Sequence, residues 1–495
     1  MRYFIALLML ALSSGVSSAQ AQQVDSKPLA ITHVTVIDVT AAAPQPDMTV
    51  IINGNRITAL GKANKVRVPQ GAQVIDATGK FLIPGLWDMH IHLTVIPDQE
   101  VTRNLIAPLL VAYGITGVRD MGGDWQRLQT LRNEINGGQI IGPRIVTPGP
   151  FVDGPQAASN IVLPVSNEAE ARQAVRKLKA QGVDFIKVQA ALSLPLWQTV
   201  LDEAQRLKIA VAGHIPERIS AFDVARSTQR SIEHISPVLP GDAGVLLACS
   251  GKEAELRAEM LEIERLAEQP NPDQQALRKR YRALQLQMIS TTDAQKCAQL
   301  LSLFAKRGTV AVPTMIFGRQ FAPLDADDLP KDEALGCVPH SLRVRWENRR
   351  NAVIKSSAPE DFAFRRQMFD KSLALVGLMH RAGIRLLAGT DAIDGYVVPG
   401  LSLHQELALM VEAGLTPLEA LQAATIHAAG FLGKDKELGT IAVGKLADVV
   451  LLDASPLSDI HNTKKISAVV SNGRWLDRQA LNELLAKVEA AANQK

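Results

Sequence analysis

Two histidines two residues apart, His90 and His92, lie in the apolar run GLWDMHIHL. Alternation in a strand points both imidazoles the same way. Further along, single polar residues interrupt other short apolar runs near their ends: Lys187 in FIKVQ, His214 in AGHIP, His234 in IEHIS and Asp391 in AGTDA. Four imidazoles, a carboxylate and an amine at one place make a metal site by ligand type, with zinc the expected ion. A lone strand histidine is more often a satisfied core residue. The recurrence at successive strand ends is what turns the reading toward a metal. Lys187 needs its own account, because an amine in an apolar strand is costly to desolvate. Either an acid such as Asp184 or Glu233 pairs with it, or it takes up carbon dioxide. The resulting carbamate is a carboxylate on a long arm, suited to bridging two cations.

These residues need elements that bring them together. Eight short apolar segments recur along the middle of the chain: GLWDMHIH, ITGVRD, GPRIVTPG, VDFIKVQ, IAVAGH, SIEHI, TVAVPT and IRLLAGTD. Each is followed by helical or loop sequence. Strands buried on both faces and alternating with helices imply a parallel sheet. Eight of them predict an α/β protein of the (β/α)8 TIM-barrel class over 85–431, with every candidate ligand at the carboxyl-terminal mouth. Two connections are long. One, within 237–308, holds two helix-like runs split by PNPD; the other, about 317–383, carries RVRWENRR. Long connections at that face commonly form lids. Short β-branched runs at both ends of the chain predict a small β-sandwich domain assembled from 22–84 and 432–495, closed by a helix over about 480–492.

The bulk composition is ordinary for a large globular chain: 495 residues, 47% hydrophobic, 21% charged, net charge +3. No block of like charge suggests a nucleic-acid partner, and no later apolar run is long enough to span a bilayer. The first 21 residues differ: Arg2, an apolar run from Tyr3 to Leu12, then small residues ending in Ala19-Gln20-Ala21. That is a signal-peptide pattern with an A-x-A cleavage site, and it predicts an exported protein, periplasmic or secreted. Export permits disulfides, and Cys249, Cys297 and Cys337 allow one intramolecular bridge whose pairing the sequence does not fix.

The run PGLWDMHIHL, the strand-four lysine, the later histidines and GTDA resemble the amidohydrolase superfamily. Within it, LSLHQELALMVEAGLTPLEALQAAT and LGTIAVGKLADVVLLDASPLSDI are similar to the branch of imidazolonepropionase-like proteins and metal-dependent prolidases. The resemblance spans nearly the whole mature chain. It implies that His90, His92 and Asp391 hold one divalent ion, that His214 and His234 hold a second, and that a carbamate on Lys187 bridges them. The lysine favours two-metal hydrolases over imidazolonepropionase itself. Gln189 stands where prolidase-like relatives often carry an aromatic residue.

Further candidates surround this set. Asp88, two residues before His90, is placed to accept a hydrogen bond from a ligand histidine. Arg119 and Asp120 either line the pocket or pair with each other. His404 opens a helix and either contacts the site or faces solvent. Arg343, Arg345 and Trp346 either hold a substrate carboxylate or form a solvated helix face. The leading expectation is a binuclear hydrolase that cleaves amide bonds of small molecules, N-acyl amino acids or dipeptides, with Asp391 carrying the proton. The same ligands serve a lactonase, esterase or phosphotriesterase. A non-catalytic binding protein on this scaffold is the third reading, and the completeness of the ligand set argues against it. The sequence sets no oligomeric state.

Overall fold

The computed structural model describes residues 27–40, 43–155, 158–235, 244–322, 333–393 and 395–493. The expected signal peptide lies outside the described residues. Strands near the amino terminus are β1 (Leu29–Val36), β2 (Gln45–Asn53), β3 (Arg56–Lys62), β4 (Gln73–Asp76) and β5 (Phe81–Pro84). The middle of the chain supplies β6 (Leu86–Ile91), β7 (Ile115–Asp120), β8 (Arg144–Val146), β9 (Phe151–Asp153), β10 (Val162–Pro164), β11 (Ile186–Val188), β12 (Val211–Gly213), β13 (Gln229–Glu233) and β14 (Val310–Val312). The far end supplies β15 (Val449–Leu452), β16 (Ile466–Ser471) and β17 (Arg474–Asp477), before a helix over Arg478–Ala492.

Strands from the two ends pair in one eight-stranded sheet of order β17-β16-β15-β5-β1-β2-β3, with β4 on β1. The sequence predicts a sandwich, but hydrogen bonding runs through a single branched sheet. The branch is at β1. Its first half pairs with β4 and its last residues with β5. Between them the register shifts, and His33 takes a positive φ of 56°. A bulge of this kind redirects a strand toward a second partner. The alternating apolar residues Ile31, Val50, Val449 and Val470 meet in one core drawn from both ends.

The middle forms two parallel sheets, β6-β7-β8 and β10-β9-β11-β12-β13-β14. Seven of the eight predicted segments contain a strand. The eighth, IRLLAGTD, does not. It makes isolated parallel bridges instead, Leu386 to Ala311 on one side and Ala392 to Ile91 on the other. Backbone bonds from Ala311 N–H to Arg385 O and from Met89 N–H to Ala388 O stitch it between β14 and β6. The run then bends at Asp391, whose φ is 59°, so extended geometry ends where the chemistry begins. Gly389 is required here: a Cβ would meet His90 Cβ and backbone N at 2.8 Å. The regular ladder therefore does not close. Between β8 and β11 the contact is the bond from Asp184 N–H to Thr147 O, and the unanticipated β9 pairs with β11.

The first long connection folds as helices Glu253–Ala267 and Gln274–Ser290, separated at PNPD and followed by Ala294–Arg307. Asp273 caps the second, accepting from the N–H groups of Gln275 and Ala276. This hairpin buries its own core of Leu256, Met260, Ile263, Leu277, Leu284 and Met288. Its base is tied by a Cys249–Cys297 disulfide, while Cys337 is a buried thiol. The second connection contains helices His340–Ser356 and Pro359–Arg381. RVRWENRR is not a fully solvated face. Trp346 is buried and packs against Tyr396 with ring centres 5.3 Å apart, and Arg343 donates to Asn493 Oδ1 at 2.5 Å. Among the described residues no helix is long and apolar enough to cross a membrane.

Candidate metal centre

His90 lies in β6, His92 directly follows it, and Asp391 arrives from the bent segment beside them. Their ligating atoms lie within 4.8 Å of one another. Asp391 Oδ1 stands 3.4 Å from Nε2 of both His90 and His92, and Oδ2 is 3.9 Å from His234 Nδ1. The His234 ring centre is 4.7 Å from those of both His90 and His214. Lys187 is buried on β11, close enough that its charge acts on His90, His92, His214, His234 and Asp391. All six candidates thus form one group, each within electrostatic or ring contact of other members. Backbone strain occurs there too: His234, Thr314 and Asp391 have φ of 61°, 48° and 59°. Gly213 carries φ 143°, and a Cβ there would meet Val188 O at 2.1 Å, so only glycine lets the chain turn into His214.

The hydrogen bonds around the rings fix their tautomers. His90 Nδ1 lies 3.0 Å from Glu233 Oε2, which accepts its proton and leaves Nε2 as a lone pair. His92 Nδ1–H donates to Gly122 O at 2.9 Å. Thr314 Oγ1–H donates to Pro313 O, so that oxygen accepts from His234 Nδ1–H at 2.8 Å. His90 Nε2 and His214 Nδ1 are buried without a hydrogen-bond partner. Buried polar atoms are rarely left so, and an orphaned imidazole nitrogen aimed at a carboxylate and other imidazoles suits a cation. Burial, then the nearby Lys187 charge, pushes His90 and His214 well below the ordinary histidine range. Burial lowers His234 as well. Neutral imidazole is the ligating form. Burial opposes ionisation of Asp391, yet its bond to His92 and the charges of His234 and His92 hold it below the usual carboxylate range.

Several supporting residues differ from the sequence expectation. Asp88 does not take a ring N–H. It accepts from His90 N–H at 3.1 Å and from Thr390 N–H and Oγ1–H at 3.1 and 2.6 Å, pinning the bent segment to β6. Burial pushes its carboxyl up to about 7. Arg119 does not pair with Asp120. Its guanidinium holds Glu233 at 2.7 and 2.9 Å and Met89 O at 2.6 Å, and Ser231 Oγ–H also donates to Glu233. Asp120 accepts from Leu93 N–H, Gly122 N–H and Thr147 Oγ1–H instead, at 2.8 to 3.1 Å. Glu233, read from sequence only as a partner for Lys187, is the hinge of this network. The other proposed partner, Asp184, accepts from Arg132 and Thr147 N–H.

His404 is not at the mouth. It is buried, with Nδ1 2.9 Å from Thr463 Oγ1 and Nε2 2.9 Å from Tyr113 O. Nδ1 ties its helix, Leu401–Glu412, to the far end of the chain, and Nε2 ties it to the backbone just before β7. Glu406, on the same helix, has no signal in the sequence pattern; it accepts from the N–H groups of Met315 and Ile316 at 3.1 and 2.7 Å, just after the Thr314 that orients His234. Gln189 follows Lys187 by two on the same face; its Oε1 is buried without a partner.

Residues 81–338 and 334–476 match the Amidohydrolase family. The chain therefore belongs to that family, and it is a metal-dependent hydrolase acting on carbon–nitrogen bonds. Imidazolonepropionase of Pseudomonas entomophila (strain L48) is 26% identical over 417 residues, 82% of this chain and 87% of the relative. A solved putative prolidase from Bifidobacterium longum superposes with a TM-score of 0.63 at 24% identity, covering 93% of this chain and 99% of its own. Bottromycin amidohydrolase superposes with a TM-score of 0.69 at 20% identity, covering 94% and 91%. At such identities the two structures speak for the fold alone.

Proposed function

We propose that this protein is a two-metal hydrolase that cleaves amide bonds of small molecules, N-acyl amino acids or dipeptides. The observation that carries the reading is the grouping of His90, His92 and Asp391, with His214, His234 and Lys187 beside them and two buried imidazole nitrogens lacking a hydrogen-bond partner. The donor set would hold two divalent ions, zinc by ligand type, and Lys187 as a carbamate would supply them a further carboxylate. Bound there, the ions would make an attacking water acidic and polarise the substrate carbonyl.

The chain's own groups then have defined work. Asp391, held as a carboxylate, takes the proton of the attacking water and returns it to the leaving nitrogen. Glu233, Gly122 O and Thr314 hold the other nitrogens of His90, His92 and His234 and so orient the three rings, and burial keeps His90 and His234 neutral. Lys187 cannot remain an ammonium beside two dications without strong repulsion. As a carbamate it supplies negative charge that partly offsets theirs. We further read the parallel strands and the 384–392 segment as one (β/α)8 ring with its mouth at this site. Export is part of the proposal, supported by the amino-terminal pattern and by the oxidised Cys249–Cys297 pair, which suits an oxidising compartment.

Metal analysis of the purified protein should give about two divalent ions per chain. A panel of N-acyl amino acids, dipeptides, lactones and phosphotriesters should show turnover concentrated on the amides. A single tightly held ion, or turnover confined to lactones or phosphotriesters, would overturn the reading.

A further inference from the structure

A cleft of about 1100 Å³ lies between the first insertion and the helices of the second. Its lining is segregated by depth. Met260, Ile263, Leu277, Phe364 and Met368 are buried at its floor. Arg278, Lys279 and Lys355 are exposed at its rim, with Arg282 half-buried below them. The carboxylates among the lining residues are Asp361 and Glu264. Asp361 is held by Arg282 at 2.7 Å. Glu264 is hydrogen-bonded to Glu217. The rim therefore keeps a surplus of positive charge over an apolar floor that contains two adaptable methionines.

That same carboxyl pair also touches the loop that follows His214. Glu217 follows His214 by three residues, and its N–H is fixed on Ala190 O at 3.0 Å. Glu264 forms the cleft wall on helix Glu253–Ala267, and Arg257 of the same helix donates to Glu217 O. One side-chain contact thus separates the loop of a candidate metal ligand from the cleft.

We propose that this cleft is a binding site for an amphipathic monocarboxylate, its apolar body on the methionine–phenylalanine floor and its carboxylate at the cationic rim. Charge complementarity selects the head, since lysine and arginine at a rim favour an anion and cost a cation. Apolar depth selects the body, because floor area is removed from water only if the tail is hydrocarbon. A bare anion would leave the floor empty, and an uncharged lipid would leave the rim unanswered. If the amide-hydrolase reading holds, the acyl side of the substrate or the released acid rests here; the binding claim does not depend on that step.

Decanoate is the probe, titrated calorimetrically into the full mature protein with its metals, beside decanol as the uncharged match. Saturable binding of about one decanoate per chain is expected, with decanol at least about tenfold weaker. The double variant Lys279→Glu, Lys355→Glu should lose about tenfold or more in decanoate affinity while keeping its metal content and melting temperature. Both side chains are exposed, so the variant is expected to fold. Chelating the metals should leave decanoate binding in place. Absence of saturation, equal affinity in the charge-reversed variant, or loss of binding on chelation would each overturn the proposal; the last would move the carboxylate to the metal mouth. Failure to hydrolyse N-decanoyl amino acids with decanoate binding intact would instead defeat the amide reading and spare the cleft.

Discussion

The metal mouth and the insertion cleft treat charge in opposite ways. At the mouth, ionisable groups are buried and several are held by a partner: His90 by Glu233, Glu233 by Arg119, Asp88 by Thr390. At the cleft, the cations sit at an exposed rim and the buried surface is hydrocarbon. The mouth hangs on strand ends whose backbone is strained into place. The cleft is formed by insertions, one of which carries a core of its own. Chemistry that tolerates little displacement is built on the parallel strands, and selectivity is left to segments that can vary without disturbing it. Changes at the mouth should therefore appear in metal content and kcat, and changes at the cleft in KM.

The largest effect tests the mouth. His234→Ala removes a nitrogen oriented by Thr314 and facing Asp391. It should lose a metal equivalent, seen by elemental analysis, and more than about a hundredfold in kcat, since outer partners alone commonly cost 10- to 100-fold. Retained activity and full metal content would remove His234 from the site. Lys187→Ala should be similarly inactive, with partial recovery on adding formate or acetate to fill the bridge. Next comes Glu233→Gln. The His90 tautomer loses its carboxylate and Arg119 loses its buried counter-charge. Metal affinity should fall about 10- to 100-fold. Breaking a buried pair should cost roughly 3–5 kcal/mol in urea unfolding. A change in stability with metal affinity untouched would make Glu233 a structural residue only.

His404 sharpens the contrast from the other side. It is as buried as His90, yet both of its nitrogens are within hydrogen-bond distance of protein oxygens, whereas His90 Nε2 makes no hydrogen bond. Burial pushes it down to about 4. His404→Ala should cost about 1–3 kcal/mol in stability through the polar groups left unpaired. Metal content should stay at the wild-type level; a drop would mean the helix Leu401–Glu412 supports the mouth more directly than its hydrogen bonds imply.

The candidate ligands were legible because strand ends are a small set of positions, and polar residues there interrupt an otherwise apolar pattern. That pattern marks Lys187 and His214 as candidates. Their supports were not. Glu233 reads as a strand residue beside His234, and nothing in the order of residues says that its carboxylate crosses to His90 on β6, 143 positions away. Arg119 and Asp120 are adjacent in sequence but project to opposite faces of β7, so they cannot pair as neighbours might. The eighth segment has the composition of a strand, and its loss of regular pairing arises from the bend that delivers Asp391. The split sheet of the two chain ends was visible as β-branched runs, whereas its branch at β1 depends on a bulge at His33 that no residue type announces.

The smallest expected effect joins the two regions. Glu217 is pushed up to about 8 from an ordinary 4.5, first by burial and then by Glu264, whose charge and hydrogen bond both favour the protonated form; Asp153 adds to this and Arg218 opposes it. Glu264 is raised too, by burial first, with Glu268 adding and the Glu217 bond and Arg218 opposing. The pair therefore holds a proton in the folded protein that the unfolded chain would release. The folded state binds more protons between pH 4.5 and about 8, so stability from this pair is fully present below pH 4.5 and is lost as pH rises through about 8. The melting temperature should decline across that window. Glu217→Gln keeps a donor facing Glu264 but removes the titration, so its melting profile should be flatter over the same range, with metal content unchanged. Because Glu264 sits on the cleft wall, the wild-type protein should also show a KM for acyl substrates that climbs above pH 8 more steeply than that of the glutamine variant. Parallel melting profiles in the two proteins would show that the carboxyl pair does not hold insertion and mouth together.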